Sequence, residues 1–343
     1  MTVTLKDLSK ASGVSVGTVS RALNDKSEVS EDTAKRIRQL AQELGYVPNR
    51  AGRALSAQKN LNTVGILLPS INSPFFDDIK HGIREAELEF KDLGLDVILR
   101  EVEGWDVDEH LSTLAQLKEQ GCKSLALCTV DDPRIRAYIN DLSDNNIPVI
   151  LINNMVQDCK SLCFVGPDYY RSGEIAAALL AKSRQHQTLK VLIVVGLKSH
   201  HGHAARVRGF TEELKRRQCD FEVIEVVEGM DNDITTQQVT MEALRRHRDV
   251  NCIYMASGSG VSGLGAAVIA DSIDKFFVIA CDEIYTTREL VKSDIIDFVI
   301  CQEPKVQGYQ AIKLLHEYMS KPRTSKMDDY IVGNIIKLKN HFE

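Results

Sequence analysis

The stretch Ser15-Val16-Gly17-Thr18-Val19-Ser20-Arg21-Ala22-Leu23 decides how the N-terminal part of the chain folds. Its apolar side chains recur at helical spacing, which predicts a short helix with one apolar face. A preceding helix is predicted over Leu5 to Ser12, and the glycine after it supplies a tight turn. A helix, a glycine turn and a second helix at this spacing predict a helix-turn-helix, whose second helix lies in a DNA major groove. An ordinary helical hairpin has the same local pattern.

Capping signals delimit the helices of this N-terminal head. Thr4 and Asp7 are spaced as a capping box, and Ser15 is placed to cap the second helix. Ser30 begins a third helix, which Gly45 ends. Its predicted buried stripe consists of Ala34, Ile37, Leu40, Ala41 and Leu44.

The charge of the chain is unevenly distributed. The 343 residues carry a net charge of −6, which by itself argues against a DNA partner. Residues 1–60, however, hold 10 Lys and Arg against 6 Asp and Glu, whereas the remainder holds 32 against 42. A basic head on an acidic body is typical of a protein that meets phosphate at one end only.

The composition, with 43% hydrophobic and 26% charged residues, is that of an ordinary soluble globular protein. The eight cysteines form no C-x-x-C pair and lie mostly in apolar runs, which predicts reduced thiols, no disulfide and no metal site. The N-terminus lacks the apolar run of a signal peptide, and no segment approaches the roughly 18 apolar residues of a membrane span. The expected location is the cytoplasm, with no membrane partner.

Beyond residue 62 short apolar strands alternate with amphipathic helices. Two such series predict an α/β core of two doubly wound parallel-sheet lobes, with a ligand bound where the carboxyl ends of the strands meet. The predicted helices include Phe76–Phe90, Asp108–Gln120 and Val306–Tyr318. The predicted strands are Val64–Leu68, Asp96–Leu99, Ser124–Cys128, Val149–Ile152, Cys163–Val165, Lys190–Val195, Glu222–Val227, Cys252–Met255, Phe277–Ala280, Asp297–Cys301 and Tyr330–Leu338.

Polar and aromatic side chains follow several of these strands. Amide, carboxylate and guanidinium groups beside aromatic rings suit a polyhydroxylated ligand, whose hydroxyls bind the polar groups and whose CH faces stack on Phe. Other roles stay open: Asp168 is equally placed to cap a helix, Phe75 to pack in the core, and Arg206 and Asp282 to form a structural ion pair. The candidate set is Phe75, Phe76, Asn153, Asp168, Arg206, Asp282 and Gln302.

Two further motifs are also typical of other kinds of site. The segment Gly258-Ser259-Gly260-Val261-Ser262-Gly263 reads G-x-G-x-x-G, and Asp282 follows about 20 residues later, as in a dinucleotide-binding fingerprint. It lies late in the chain and no catalytic set accompanies it, so an NAD-dependent oxidoreductase is the minor alternative. The tract His200, His201 and His203 has metal-ligand spacing but no neighbouring Cys or carboxylate, which favours a solvated loop bordering the cleft. Neither cofactor nor metal is therefore predicted.

The first 60 residues closely resemble the DNA-binding head of the lactose/galactose repressor family. The resemblance is carried by the stretch from Thr4 to Asn24 and by Leu44-Gly45-Tyr46-Val47-Pro48-Asn49-Arg50. It implies that Asn49 to Ser56 form a hinge helix and that Leu55 is a wedge in the minor groove. Gly52 departs from the expected pattern by weakening that helix. The implied DNA-binding residues are Leu5, Ser15, Val16, Gly17, Thr18, Ser20, Arg21, Asn24, Ser30, Thr33, Tyr46, Asn49, Arg50 and Leu55.

The rest of the chain has the length and strand order of that family's core, which resembles periplasmic sugar-binding proteins. The resemblance implies a homodimeric, effector-controlled repressor that binds a near-palindromic double-stranded DNA operator, and not an enzyme. A transport-type sugar-binding protein is a further alternative. The expected domains are a helix-turn-helix head (1–48), a hinge and linker (49–61) and the core (62–343). The expected lobes are 62–165 with 294–327, and 166–293 with 328–343.

Overall fold

The computed structural model describes residues 3–23, 29–46, 62–198, 200–271, 276–320 and 326–342. The chain divides into two compact units, Met1–Asn60 and Leu61–Glu343. The first unit contains α1 (Leu5–Ser12), α2 (Val16–Leu23) and α3 (Glu31–Glu43), so the three predicted helices of the head are confirmed. Their shared core is formed by Leu8, Val19, Ala22, Ala34, Ile37 and Ala41.

The caps of the head follow the sequence, with one exception. The Thr4 amide donates to Asp7 Oδ2 at 2.9 Å and the Asp7 amide donates to Thr4 Oγ1 at 3.4 Å, which completes the capping box. The Thr18 amide donates to Ser15 Oγ at 3.1 Å, as expected for a cap. Ser30 precedes α3 but makes no capping bond; its hydroxyl lies 2.8 Å from that of Thr33 instead. The cap predicted at Ser30 is therefore absent.

The second unit alternates strands and helices from end to end. In chain order its elements are β1 (Asn62–Leu68), α4 (Phe75–Phe90), β2 (Leu95–Glu101), α5 (Val107–Glu119), β3 (Ser124–Leu127), α6 (Pro133–Asp144), β4 (Val149–Ile152), β5 (Cys163–Pro167), α7 (Tyr169–Ser183), β6 (Leu189–Val195), α8 (His201–Arg216), β7 (Phe221–Glu228), α9 (Asp233–Arg246), β8 (Cys252–Met255), α10 (Val261–Asp271), β9 (Phe277–Cys281), α11 (Tyr285–Lys292), β10 (Phe298–Cys301), α12 (Pro304–Ser320), β11 (Tyr330–Val332) and β12 (Ile335–Lys337).

These strands form two six-stranded sheets. The first has the order β11-β5-β4-β3-β1-β2 and the second β12-β10-β9-β8-β6-β7. All pairings are parallel except that of β10 with β12. The central strands are buried on both faces because helices cover both sides of each sheet, which explains their continuous apolar runs. We call the unit around the first sheet the N-lobe and the unit around the second the C-lobe.

The lobe boundaries differ from the expected ones near the C-terminus. β10 pairs with β9 and therefore belongs to the C-lobe, although 294–327 was expected in the N-lobe. β11 pairs with β5 of the N-lobe, although 328–343 was expected in the C-lobe. The predicted strand Tyr330–Leu338 is in fact two short strands, one in each sheet. The chain thus passes between the lobes three times, after β5, β10 and β11. None of the helices in the described ranges is long and apolar enough to cross a membrane.

Candidate functional site

A cavity of about 750 Å³ lies between the two lobes at the carboxyl ends of the strands. A smaller cavity of about 50 Å³ adjoins it and shares several of its walls, among them Phe75, Trp105 and Asp231. Six of the seven predicted effector residues line the smaller cavity: Phe75, Phe76, Asn153, Arg206, Asp282 and Gln302. Together we call these two spaces the inter-lobe cavity.

An ion pair forms the floor of the inter-lobe cavity on the C-lobe side. Arg206 Nη2 lies 3.4 Å from Asp282 Oδ2, and the two side chains are 3% and 6% exposed. Arg206 Nη1 donates to the Ala256 carbonyl at 3.2 Å, and its guanidinium carbon lies 4.9 Å from the centroid of the Tyr169 ring. Burial alone would lower the pKa of Arg206, but Cys281 and Asp282 hold it above its usual range. The pair is thus structural and also faces the cavity.

A network of buried amides joins the lobes beside this ion pair. Gln302, at the end of β10, donates to Asp282 Oδ1 at 2.8 Å. Its carbonyl oxygen accepts from Asn153 at 2.9 Å and from Gln307 at 3.0 Å, and both donors belong to the N-lobe. The Tyr169 hydroxyl donates to the Asn153 carbonyl at 2.9 Å. The amides that line the cavity are therefore also contacts between the lobes.

The structure places both aromatic candidates at the cavity wall, but Asp168 lies elsewhere. Phe75 and Phe76 begin α4 and meet edge to face, with centroids 5.3 Å apart, at the cavity wall. Asp168 does not line this cavity; its carboxylate accepts from the Arg171 amide at 2.8 Å and caps α7. The effector role predicted for Asp168 is therefore wrong. Because Asp168 lies one position before α7, its carboxylate caps that helix.

Several residues outside the predicted effector set also line the smaller cavity, and five of them are Trp105, His200, His203, Asp231 and Ser257. The expectation of a solvated histidine loop is wrong for His200 and His203, whose rings stack at 4.2 Å inside the cavity wall. All five follow the carboxyl end of a strand, so the rule that found Arg206 and Asp282 would have found them too. Within the described ranges no group of three or more His, Cys, Asp or Glu side chains is arranged to hold a metal.

The G-x-G-x-x-G segment serves packing around the cavity. A Cβ at Gly258 would lie 2.7 Å from Asp282 Oδ2, so only glycine lets the loop after β8 approach this carboxylate. Gly260 has a φ of +82°, in the left-handed region that favours glycine. A Cβ at Gly263 would overlap the Asp233 carbonyl, which shows that α10 packs closely on α9. Each glycine has a structural reason without a dinucleotide.

The candidate DNA-binding residues of the head differ in exposure, and four of them lie outside the described ranges. Val16 is 39% exposed and Gly17 is also exposed on α2, while Arg21 Nε donates to the Gly17 carbonyl at 3.1 Å. Leu5 and Tyr46 are half-buried and pack on the head core. Asn24, Asn49, Arg50 and Leu55, with the predicted hinge helix, lie outside the described residues. Ser15, Thr18, Ser20, Ser30 and Thr33 are partly or fully exposed.

The comparison with known families decides between a helical hairpin and a DNA-binding head. Residues 4–49 match the profile of the bacterial regulatory proteins of the lacI family, and residues 64–322 match the periplasmic binding protein domain. The chain belongs to the LacI family. As a LacI-family member it is a transcriptional regulator with a helix-turn-helix head and a periplasmic-binding-protein-like core.

Its relatives among characterised proteins agree with this assignment. The chain is 28% identical over 270 residues to the ribose operon repressor of Bacillus subtilis (strain 168), covering 72% of this chain and 78% of that protein. It is also 28% identical over 223 residues to catabolite control protein A of Streptococcus mutans, covering 64% and 63%.

Solved structures share the core of this LacI-family protein. The glucose-galactose binding protein GanP of Geobacillus stearothermophilus superposes with a TM-score of 0.75 at 21% identity, covering 82% of this chain and 98% of GanP. The arabinose binding protein AraP of the same organism gives a TM-score of 0.69 at 23% identity, covering 82% and 99%. At this identity the likeness shows the fold alone.

Proposed function

We propose that this protein is an effector-controlled repressor that binds a near-palindromic DNA operator as a homodimer. The observation that carries the proposal is the joining, in one chain, of a lacI-type head to a two-lobed core whose cavity gathers six predicted effector residues. The effector is a small polar, sugar-like metabolite. Operator affinity changes because the ligand binds one arrangement of the lobes better than the other, and the difference in affinity sets the size of the switch.

The cavity supports a polyhydroxylated effector. Asp282 offers acceptors, Arg206 and the second N–H of the Gln302 amide offer donors, and Phe75 offers a ring face, which together match hydroxyls and the CH face of a sugar. Residues from both lobes contact the same space, so a bound ligand bridges them. Closure of the lobes on the ligand then alters the Asn153–Gln302 contact.

The head supports sequence-specific DNA binding. Val16 and Gly17 are exposed on α2, where the family reads bases. Neither side chain forms hydrogen bonds, so Val16 contributes apolar contact with a thymine methyl, and readout of DNA shape carries more of the specificity. A repressor with twofold symmetry binds a site with matching symmetry.

The two competing functions have less support. An NAD-dependent oxidoreductase rests on the glycine segment, whose three glycines are accounted for by the Asp282 approach, the turn and helix packing. A transport-type sugar-binding protein accounts for the core but not for the match of residues 4–49 to the lacI family. The proposal therefore includes repression, dimerisation and a cytoplasmic location.

The test is selection of duplexes from a randomised library by the full-length protein, followed by titration of the selected site by fluorescence anisotropy. We expect a twofold-symmetric site and an affinity that falls steeply with salt, since Lys and Arg release counterions from phosphate. Arg21→Ala should weaken binding by about 1–3 kcal/mol, the range for a base-reading arginine. Arg134→Ala, in the exposed pair with Asp108 on the core, is the matched control and should leave affinity unchanged.

A protein that prefers no symmetric duplex over random DNA contradicts the proposal. So does equal weakening by Arg21→Ala and Arg134→Ala, because operator contacts would then not lie in the head. Tight NAD binding with hydride transfer would favour the enzyme instead.

A further inference from the structure

One corner of the inter-lobe cavity is built from residues outside the predicted effector set. It consists of Trp105, His200, His203, Asp231 and Ser257, which we call the Trp105 corner. The Trp105 ring meets the His200 ring edge to face at 5.2 Å, and His200 stacks on His203 at 4.2 Å. Ser257 Oγ donates to Asp231 Oδ1 at 3.1 Å, and the Trp105 indole N–H donates to the same carboxylate. The corner joins the N-lobe, through Trp105, to the C-lobe.

The charges facing this space are mostly negative. Burial lowers the pKa of His203 to about 3 and lowers that of His200 well below its usual range, so both rings are uncharged near neutral pH. The Arg206 guanidinium is matched by Asp282. Burial raises the pKa of Asp231, while the hydrogen bonds from Ser257 and Trp105 oppose that shift by favouring its ionised form. Two carboxylates thus face one guanidinium in the inner cavity.

Carboxylates also stand at the wider part of the cavity. Glu103 and Asp233 line it, and both are exposed at its mouth. A phosphate or carboxylate on the ligand would enter a space already lined by acidic groups. Like charges brought together in a partly buried site are strongly unfavourable.

Two of the buried polar atoms that have no partner in the described part of the chain belong to residues that line the inter-lobe cavity. They are His200 Nδ1 and Arg206 Nε, and the second belongs to a side chain that is almost entirely buried. A buried donor or acceptor without a partner is costly, so a ligand group that reaches either atom supplies a hydrogen bond that the described residues do not. Hydroxyl groups satisfy both, because a hydroxyl both donates and accepts.

We propose that the Trp105 corner makes the effector site selective for an uncharged polyhydroxylated compound and rejects its phosphorylated and carboxylated derivatives. This inference rests on the proposed function and narrows the class of effector. Ligand hydroxyls donate to Asp231 and Asp282, accept from Arg206 Nε, and exchange a hydrogen bond with His200 Nδ1. Trp105 and Phe75 cover the apolar face of the ligand from the N-lobe.

The experiment compares matched ligands on the full-length protein. The common aldopentoses, aldohexoses and their alditols are screened by thermal shift, and each compound that stabilises the core is titrated by calorimetry beside its uronic acid, its terminal phosphate and its amino sugar. We expect at least one uncharged compound to bind, and to bind at least about tenfold more tightly than either acidic derivative. A uronate, phosphate or amino sugar that binds more tightly than its uncharged parent overturns the proposal. A panel in which no uncharged compound binds also overturns it.

Asp231→Asn tests the corner itself. In this variant the affinity for the uncharged ligand should fall at least about fivefold. The ratio of the affinity for the uncharged ligand to the affinity for the uronic acid should fall at least about tenfold. Asp249→Asn, at a carboxylate that is 62% exposed and precedes β8, is the control and should change neither ratio. An unchanged preference in folded Asp231→Asn overturns the role of the corner, and the wild-type ratios test the proposal independently of this variant.

Operator binding is measured on the same preparations. Loss of the expected ligand preference with intact binding to a symmetric site overturns this inference alone. Loss of symmetric-site binding overturns the proposed function.

Discussion

His203 shows how the fold changes the chemistry of a single residue. The residue is 7% exposed, and its Nδ1 accepts from the Leu197 amide at 3.1 Å. Burial lowers its pKa to about 3, whereas an unfolded chain has a histidine pKa of about 6.5. Because the unfolded state binds the proton first as pH falls, the folded core loses about 1.4 kcal/mol per pH unit below that value from this residue.

We therefore expect the free energy of unfolding of the core to fall between about pH 6.5 and 5, above the range in which ordinary carboxyls titrate. Urea unfolding across this interval is the measurement. His203→Gln removes one buried histidine with a lowered pKa and should make the dependence less steep, while His200, His110 and His316 still contribute; His81→Gln, at a 69% exposed side chain, should leave the slope unchanged. Equal slopes in all three proteins would show that His203 is protonated in the folded state.

Carboxylates with a lowered pKa affect the stability of the core in a different pH range. Hydrogen bonds from Ser70 and Lys80 lower the pKa of Glu101, and those from Arg246 lower that of Glu225. Their contribution is present above the ordinary carboxyl pKa and is lost only as pH falls below it. The histidine effect is thus separable by pH.

Close helix pairs are the element-scale feature that glycines control. α4 and α12 of the N-lobe meet at Gly82 and Gly308, where a Cβ would overlap the Lys305 and Ile79 carbonyls. α7 and α8 of the C-lobe meet in the same way at Gly173 and Gly209. These contacts are between backbones, so side-chain rearrangement cannot relieve them.

Gly82→Ala should destabilise the core although alanine favours helices. The overlap with Lys305 costs about 1–3 kcal/mol or more, against a gain in helix propensity of about 1 kcal/mol. Gly17→Ala, on the exposed face of α2, is the matched control; its Cβ would lie 3.3 Å from the flexible end of Arg21, and the head should gain stability. Urea unfolding reports both, and a Gly82→Ala core as stable as wild type would contradict the packing argument.

Coupling between the lobes belongs to the whole molecule. Gln302 is 6% exposed and lies where the chain crosses from the C-lobe to the N-lobe after β10. Its amide forms hydrogen bonds with Asp282 in its own lobe and with Asn153 and Gln307 in the other. A ligand in the inter-lobe cavity touches the same amides. We infer that these amides connect ligand binding to the arrangement of the lobes.

Gln302→Leu keeps the volume and removes the amide, so three buried partners lose a hydrogen bond. We expect effector affinity to fall at least about tenfold, from the loss of about 1.4 kcal/mol or more, while operator binding without effector persists. Gln238→Leu, on the exposed side of α9, is the control. Operator titrations with and without ligand measure the response; an undiminished response in Gln302→Leu would show that the amide network is not part of the coupling.

Local sequence determined the head and most elements of the core. Helical spacing and capping residues specify α1 and α2, and strands Val149–Ile152 and Cys252–Met255 have the predicted bounds because their short apolar runs end at polar residues. The strand-end rule brought Arg206, Asp282 and Gln302 to one cavity, since parallel strands present their carboxyl ends at the same edge.

Only the tertiary structure decided which sheet each late strand joins and which polar residues face the cavity. β10 and β11 are both short and apolar, and pairing with β9 or β5 depends on neighbours distant in the chain. Asp168 and Asp231 both follow strands, yet one caps a helix and the other is half-buried in the cavity wall beside Trp105. The physical reason is that sequence fixes periodicity and local hydrogen bonding, whereas burial and pairing between lobes are set by contacts across the whole fold.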